Sequence, residues 1–182
     1  QLSLRWLHVW RRNFLVWRKL ALPPILGNLG EPLIVLFGLG YGLGAFMGEI
    51  GGVPYFAFLA AGFVASSTMY AASFEAHFSA FSRMHVQKTW EAIVNAPMTL
   101  DDVLLGEWAW AVTKSLAAGV CMLAVIALFG YTKSALALAA VPAALLVGLA
   151  FGAIGLCVNA IANGYDFFSY YMTLVLTPMM LL

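Results

Sequence analysis

Charged side chains are scarce in this chain of 182 residues. Asp, Glu, Lys and Arg make up 9% of it, whereas hydrophobic residues make up 63%. A soluble domain carries about 25% charged residues, and it has too little interior to hide so much apolar surface. Several apolar runs reach the ~20 residues that a helix needs to cross the hydrocarbon core of a bilayer. The scarcity of charge excludes a soluble protein and predicts an all-α integral membrane protein.

The residues that carry catalytic or ligand chemistry are also few or unsuitably spaced. Cys121 and Cys157 each stand alone inside an apolar run, so they form no disulfide framework or metal set. The histidines lack H-E-x-x-H spacing, and neither a phosphate loop G-x-x-x-x-G-K-[ST] nor a G-x-S-x-G motif is present. A net charge of +1 without a basic patch indicates no nucleic-acid partner. We therefore expect a non-enzymatic chain with no cofactor of its own.

The longest polar interval between apolar runs covers residues 83–108. Four apolar residues recur in it at i, i+4, i+7 and i+8, namely Val86, Trp90, Ile93 and Val94. This spacing gives a helix one apolar stripe, and Pro97 would end that helix, so the pattern predicts a helix over 84–97. Such a helix between two spans is suited to contact something outside the lipid. The stripe would pack either against a partner or against the chain's own spans.

A further helix is predicted to begin directly after this one. Thr99 fits the N-cap position, with Asp102 at N3 as its partner in a capping box. Asp101 and Asp102 place two carboxylates in the first turn, where the helix dipole favours negative charge. The paired aspartates are therefore better explained by capping than by acid–base chemistry.

Residues 1–22 predict an amphipathic helix rather than a signal peptide, because basic residues are interleaved with aromatic ones. At about 100° per residue, one face carries the basic residues Arg5, His8, Arg11, Arg12, Arg18 and Lys19. The opposite face carries Trp6, Leu7, Trp10, Phe14 and Trp17. This separation is typical of a helix in the headgroup plane of a membrane. The helix would be either a plain juxtamembrane anchor or an anchor that also frames a partner's docking site.

Five spans are predicted after a helix break at Pro23 and Pro24, at residues 25–47, 55–80, 102–129, 135–162 and 167–182. Lys and Arg favour alternate loops. Five of the nine precede the first span, and Arg83 and Lys88 lie in the polar interval. The positive-inside rule therefore places the N-terminus and the polar interval in the cytoplasm.

Glycines cluster near the end of the first predicted span. Gly38 and Gly42 form one GxxxG pattern, and Gly40 and Gly44 form a second that overlaps it. Glycine at this spacing lets another helix approach closely in lipid. The same residues would also loosen a helix end near the outer surface, and the pattern allows both readings.

Polar side chains within spans are costly and therefore informative. Lys114 lies roughly 18 Å into the third span, with Glu107 two turns before it on nearly the same face. Glu75, near the cytoplasmic end of the second span, would come within reach of a Lys114 side chain that snorkels inward. These groups form either an internal ion pair that fixes helix packing or a polar lining of a substrate path. Glu31 and Asn159 raise the same alternative.

Four stretches carry a family resemblance: RNFLVWRKLA, LGNLGEPLIVLFGLGYGLGAFMG, TWEAIVNAPMTLDDVLLGEWAWAVTK and GYDFFSYYMTLVLTP. Together they resemble the permease subunits of type-2 ABC exporters, and most closely the NodJ-like branch. The resemblance extends over essentially the whole chain, and its most specific parts surround Glu31, Trp90 and Glu107. Family members have six spans, with short re-entrant helices before the sixth. The resemblance therefore implies that this chain ends within the fifth, at Leu182.

The resemblance also implies partners. Two copies of the chain would pair with two ATP-hydrolysing subunits on the cytoplasmic side, and those subunits would hold ATP and magnesium. Residues 84–97 would be the coupling or gate helix, and residues 1–22 the interface helix beside it. The implied ATPase-coupling residues are Val86, Lys88, Trp90, Glu91, Ile93, Val94, Asn95 and Pro97. We expect Trp90 to fill a pocket of the partner as a binding hot spot, with Lys88 and Glu91 fixing orientation.

These implications predict the permease of an ATP-driven exporter in the bacterial inner membrane. The NodJ-like branch is associated with lipo-oligosaccharide export, so an amphipathic or lipid-linked saccharide is the expected substrate. Related permeases that export drugs or antibiotics share the architecture, and that alternative stays open. An ion-coupled secondary transporter would call for inverted repeats, and no internal repeat is visible. The glycine patterns alone would also suit a membrane scaffold that transports nothing.

Overall fold

The computed structural model describes three stretches of the chain, residues 4–19, 22–130 and 135–181. The backbone alone is described at residues 22–29, 31–32, 135–136 and 181. Almost all of the described chain is helical, as an all-α membrane protein requires, because a helix satisfies its own backbone hydrogen bonds in lipid.

The N-terminal part consists of two helices, a single helical turn and a strand pair. Helix α1 covers Trp6–Lys19, α2 covers Leu22–Gly42 and the turn α3 covers Gly44–Met47. Strands β1, Glu49–Ile50, and β2, Val53–Pro54, pair antiparallel in a small hairpin. The predicted first span therefore corresponds to α2 and α3. Pro23 and Pro24 lie in the first turn of α2, where a missing backbone N–H is tolerated.

Helix α4 is longer than the second span predicted at 55–80. It is α-helical over Tyr55–Phe74 and continues through two π-helical segments, Glu75–Ser79 and Ser82–Val86. The helix therefore continues six residues beyond the predicted end of the span at residue 80. The chain stays helical through the polar residues after position 80, because π-helical turns keep its backbone hydrogen-bonded as far as Val86.

The short helix in the polar interval is smaller than predicted. Lys88 has a left-handed backbone with φ of 50°, which a continuous right-handed helix does not accommodate. Helix α5 consequently covers only Thr89–Val94, and the prediction of one helix over 84–97 is wrong. Val86 belongs to the end of α4, so the apolar stripe predicted on one helix is divided between two.

Helix α6, Leu100–Leu128, closely matches the third predicted span. The Asp102 N–H donates to the Thr99 hydroxyl at 3.3 Å, and the Thr99 N–H donates to the Asp102 carboxylate at 3.1 Å. The predicted capping box is therefore confirmed.

The C-terminal part follows the fourth and fifth predicted spans. A 3-10 turn at Ala135–Ala139 leads into α7, Ala140–Ile161. Helix α8, Tyr165–Tyr171, continues through the π-helical segment Met172–Leu176 into α9, Thr177–Leu181. Among the described residues, three helices are long and apolar enough to cross a membrane, Tyr55–Val86, Leu100–Leu128 and Ala137–Ile161. The apolar stretch Leu33–Met47 is shorter.

Small residues let α4, α6 and α7 approach closely. The Ser115 hydroxyl on α6 donates to the Thr68 carbonyl on α4 at 3.0 Å. On the facing helix, a Cβ at Gly148 would lie 2.6 Å from the Ser115 hydroxyl oxygen, so a side chain there would displace that hydroxyl. Close backbone approach is how helices associate in lipid, where no hydrophobic force drives them together. This packing holds the polar groups described next in fixed positions.

Candidate functional site

The site is formed where α5 lies over the adjacent ends of α4 and α6. Trp90, the second residue of α5, is only 6% exposed. It packs with Ala80 of α4 and Val103 of α6, and partly buried side chains complete the cluster, namely Met84, Ile93, Leu104 and Leu156. Trp90 therefore anchors α5 to the chain's own spans, whereas we expected it to fill a pocket of a partner.

The remaining predicted coupling residues lie mostly at the surface. Six of the eight are exposed, Val86, Lys88, Glu91, Val94, Asn95 and Pro97. Ile93 is half-buried beside Trp90. We call the six exposed residues the coupling rim. The rim carries two exposed valines and a pair of opposite charges, Lys88 and Glu91.

A buried ion network lies directly beneath α5. The Arg83 guanidinium contacts two carboxylates, donating from Nε to both Glu107 oxygens at 3.0 Å and from Nη2 to Glu75 Oε1 at 2.7 Å. Lys114 Nζ donates to the other Glu75 oxygen at 2.8 Å. The expected contact between Lys114 and Glu75 is therefore present, and Arg83 joins Glu107 to it. We call these four residues the ion network.

Two indoles complete the hydrogen bonding of the carboxylates. Trp90 Nε1–H donates to Glu107 Oε1 at 3.3 Å, and Trp110 Nε1–H donates to Glu75 Oε1 at 3.0 Å. Glu75 is 2% exposed and Glu107 is 1% exposed. Buried charges are tolerated when they are paired and hydrogen-bonded, and two cations here balance two carboxylates. The network is thus neutral overall, with buried carboxylates and cations whose side chains are 12% and 14% exposed.

Helix α1 packs its aromatic face against α6. Trp10 Nε1–H donates to the Thr113 hydroxyl at 2.9 Å, and the rings of Trp10, Phe14 and Trp17 surround Trp110. The sequence pattern suggested that this face would meet lipid. Its half-buried aromatics instead contact the third span, and the exposed residues of α1 include His8, Arg11, Arg18 and Lys19.

Two contacts connect α1 to the site. Arg5 Nη1 donates to the Pro97 carbonyl, which joins the start of α1 to the turn after α5. Arg12 lies close enough to the network to interact with Glu107. Burial lowers the pKa of the Arg12 guanidinium, and the negative charge of Glu107 opposes that shift. The N-terminal helix and the polar interval are therefore at the same end of the molecule.

Asn159, another polar residue predicted within a span, donates a hydrogen bond outside this network. Asn159 is buried on α7 and donates from Nδ2 to the Ala76 carbonyl at 2.9 Å, which ties α7 to the first π-helical segment of α4. The side chain of Glu31 lies outside the described part of the chain. Within the described residues, no three His, Cys, Asp or Glu side chains are grouped to hold a metal ion.

The family follows from comparison with known proteins. A family model described as ABC-2 type transporter matches residues 5–182. The chain belongs to the ABC-2 type transporter family. No solved structure matches it significantly. The ABC-2 family consists of membrane transport subunits, so α4, α6 and α7 are read as spans of a permease.

Curated relatives of this ABC-2 chain are named Nodulation protein J. The one from Rhizobium leguminosarum bv. trifolii is 52% identical over 180 residues, which are 99% of this chain and 69% of the relative. The one from Rhizobium meliloti (strain 1021) is 51% identical over 177 residues, 97% of this chain and 68% of the relative. The one from Azorhizobium caulinodans is 34% identical over 177 residues, 97% of this chain and 70% of the relative.

Two residues of this ABC-2 permease site were missed by the sequence reasoning. Arg83 was read only as a cytoplasmic loop charge, and Trp110 was not singled out. Arg83 follows Glu75 by eight residues, slightly more than two α-helical turns. The π-helical segment between them accommodates one extra residue and so returns Arg83 to the face of Glu75. The sequence signal that could have identified Arg83 was a cation about two helical turns after Glu75, an acid within a predicted span.

Proposed function

We propose that the chain is the membrane permease of an ATP-driven exporter, powered by a separate ABC ATPase that docks on the coupling rim. The observation that carries the proposal is the rim itself, a set of exposed side chains on and beside the short helix α5, which Trp90 anchors to the spans. The sequence has no phosphate loop, so ATP and magnesium would be held by the partner. Membership of the ABC-2 family supports a permease that transports substrate while a separate subunit hydrolyses ATP.

The rim has the properties of a rigid docking element. Lys88 turns the chain sharply before α5, the Thr99–Asp102 capping box fixes the helix that follows, and Arg5 holds the Pro97 carbonyl. A movement of the ATPase would be transferred to the spans only if the contact element does not yield. The exposed Val86 and Val94 would supply apolar contact, and Lys88 and Glu91 would orient the partner through charge.

We propose further that two copies of the permease assemble, with α2 contributing to their contact. Of the two GxxxG patterns, Gly40 and Gly44 face the chain's own Phe56 and Tyr55. Gly38 and Gly42 have open space where a Cβ would lie. The outward pair therefore leaves a groove of the kind that lets a second helix approach in lipid.

The proposed orientation places α1 and the coupling rim in the cytoplasm of a bacterial cell, with the permease in the inner membrane. The distribution of Lys and Arg supports this orientation. The Arg5 contact with Pro97 also supports it, because both segments then lie on one side. The proposed substrate is a lipo-oligosaccharide or a similar lipid-linked saccharide, on the strength of the resemblance to the NodJ-like branch.

A binding measurement with a matched pair of variants tests the docking surface. ABC ATPases of the same genome would be purified singly and titrated onto the full-length permease in nanodiscs. Val94→Asp, on the rim, is expected to weaken binding by about tenfold or more, since a charge would enter an apolar contact. Val53→Asp, at an equally exposed valine on β2 (44% exposed against 43% for Val94), is expected to leave binding unchanged. Equal effects of the two variants would contradict the assignment.

A further inference from the structure

The ion network receives one hydrogen bond from outside the spans that form it. Glu75 and Arg83 belong to α4, and Glu107 and Lys114 belong to α6. Trp90 belongs to α5, and its indole nonetheless reaches Glu107. The residue next to Trp90 along the chain is the exposed Glu91 of the coupling rim. Trp90 is therefore the point at which the rim and the network meet.

We propose that the Trp90–Glu107 hydrogen bond transmits the position of the coupling rim to the ion network, and so to α4 and α6. The proposal rests on the proposed function, because it supplies the step between ATPase docking and rearrangement of the spans. Glu107 is a positioning residue in this scheme. It contacts Arg83 and Trp90, and no contact with substrate is required of it.

The bonds at Glu107 differ in strength in the way that a reversible link requires. Arg83 holds Glu107 with charged donors from two nitrogens, whereas Trp90 contributes one neutral donor at 3.3 Å. Several bonds between two ionised groups hold more strongly than one longer bond in which only the acceptor is ionised. Displacement of α5 would therefore break the Trp90 bond first. The ion pairs of Arg83 would open only afterwards, when the segment that carries Arg83 also moves.

In this proposal the segment Ser82–Val86 switches between two arrangements, the π-helical one of the structure and an α-helical one. Arg83 lies in this segment, which ends two residues before the left-handed Lys88 that leads into α5. Conversion of a π-helical turn to an α-helical one shifts the register by one residue and turns a side chain by about 100°. Such a turn would remove Arg83 from both carboxylates. Movement of α5 would thereby change the packing of α4 against α6.

A role in stability alone accounts less well for this arrangement. A buried ion pair contributes little net stability compared with apolar side chains of similar volume, and apolar packing would suffice to hold two spans together. The network also accepts a hydrogen bond from Trp90 of α5, and the charge of Arg12 on α1 interacts with Glu107. Charges placed there are suited to respond to those elements.

The test compares two Trp→Phe variants of the full-length permease, reconstituted with its ATPase in proteoliposomes. Trp90→Phe keeps an aromatic ring and removes the N–H that Glu107 accepts. Trp108→Phe removes an indole N–H of the same kind, which donates to the Leu149 carbonyl at 3.0 Å, outside the network. The measured quantities are ATPase binding, the change in ATP turnover on binding, substrate moved per ATP and the thermal unfolding midpoint.

We expect Trp90→Phe to bind the ATPase normally and to lose about tenfold in substrate moved per ATP, an effect of the size of one hydrogen bond to a charged acceptor. Trp108→Phe should keep the wild-type ratio. Equal ratios for the two variants would overturn the inference, as would a loss in Trp90→Phe that tracks only its unfolding midpoint. A wild-type permease that changes the turnover of no ATPase would overturn the proposed function, and the inference with it.

If Trp90→Phe fails to assemble, Glu107→Gln by itself tests the link, because Gln removes the charge that holds Arg83 and leaves Trp90 in place. It should keep ATPase binding and lower the substrate moved per ATP, and a wild-type ratio would overturn the inference. Where Trp90→Phe assembles, Glu107→Met completes a double-mutant cycle, since Met removes the oxygen that accepts from Trp90. The double variant Trp90→Phe/Glu107→Met should transport no less per ATP than Glu107→Met alone, and losses that multiply would show two independent roles and overturn the link.

Discussion

Arg83 is the residue on which the ion network depends most directly. It is the only one of the four that contacts both Glu75 and Glu107, and its side chain is 12% exposed. Without it, Glu75 would keep Lys114, whereas Glu107 would keep only the indole of Trp90 among these partners. A carboxylate that is buried without its counter-ion is costly.

We therefore expect Arg83→Gln to lower the free energy of unfolding by about 3–5 kcal/mol, the usual cost of removing one partner from a buried ion pair. Denaturant titration in mixed micelles would measure it. Arg11→Gln makes the same substitution at an exposed cation of α1, and its effect should stay within about 0.5 kcal/mol. Comparable losses in the two variants would contradict the burial and pairing of Arg83.

Trp90 shows which properties of a single residue the sequence could predict: its burial, but not the residues that cover it. Its place on an apolar stripe correctly indicates burial, because apolar residues at helical spacing share one face. The same spacing does not reveal which surface covers that face. The covering surface is formed by Ala80 and Val103, and the acceptor for the indole is supplied by Glu107, all distant along the chain. These contacts depend on how α4 and α6 pack, which no local pattern encodes.

At the scale of helices, the packing of α1 against α6 depends on the close approach of the two backbones at Gly106. A Cβ at this position would lie 2.5 Å from the Val9 Cβ and 2.8 Å from the Trp6 carbonyl oxygen. Real side chains do not tolerate these separations, so α1 would have to move. The position of α1 and the Arg5 contact with the Pro97 carbonyl therefore depend on the absence of a side chain at Gly106.

Gly106→Ala is expected to destabilise the α1–α6 contact by about 1–3 kcal/mol, the usual range for overpacking a close contact. The result should be faster hydrogen exchange of the α1 amides. Gly62→Ala is the matched control, since nothing lies within 4 Å of its Cβ position. That variant should leave α1 unchanged. Slow exchange of α1 in both variants would rule out the packing described for Gly106.

Helix ends were predicted well where a side chain caps them and poorly where the backbone departs from α-helix. Thr99 and Asp102 place the start of α6 within two residues, because the capping box is a local signal. The end of α4 was misplaced, since two π-helical segments carry it to Val86. The left-handed Lys88 likewise shortened α5 without any glycine or proline to announce it.

At the scale of the whole molecule, the polar features are gathered at one end. The coupling rim, α1 and the ion network lie together, as the contacts of Arg5, Trp90 and Arg83 require. Composition and charge placement predicted this asymmetry, because Lys and Arg concentrate on alternate loops. The arrangement suits a permease driven from one side by an ATPase.

The central claim is that a separate ATPase drives export through this permease. The most direct measurement is the transport of a labelled lipo-oligosaccharide by proteoliposomes that contain the full-length permease, with and without its ATPase and ATP. We expect labelled substrate to cross the membrane only when the permease, the ATPase and hydrolysable ATP are all present. Transport that follows an imposed ion gradient in the absence of the ATPase would contradict the account.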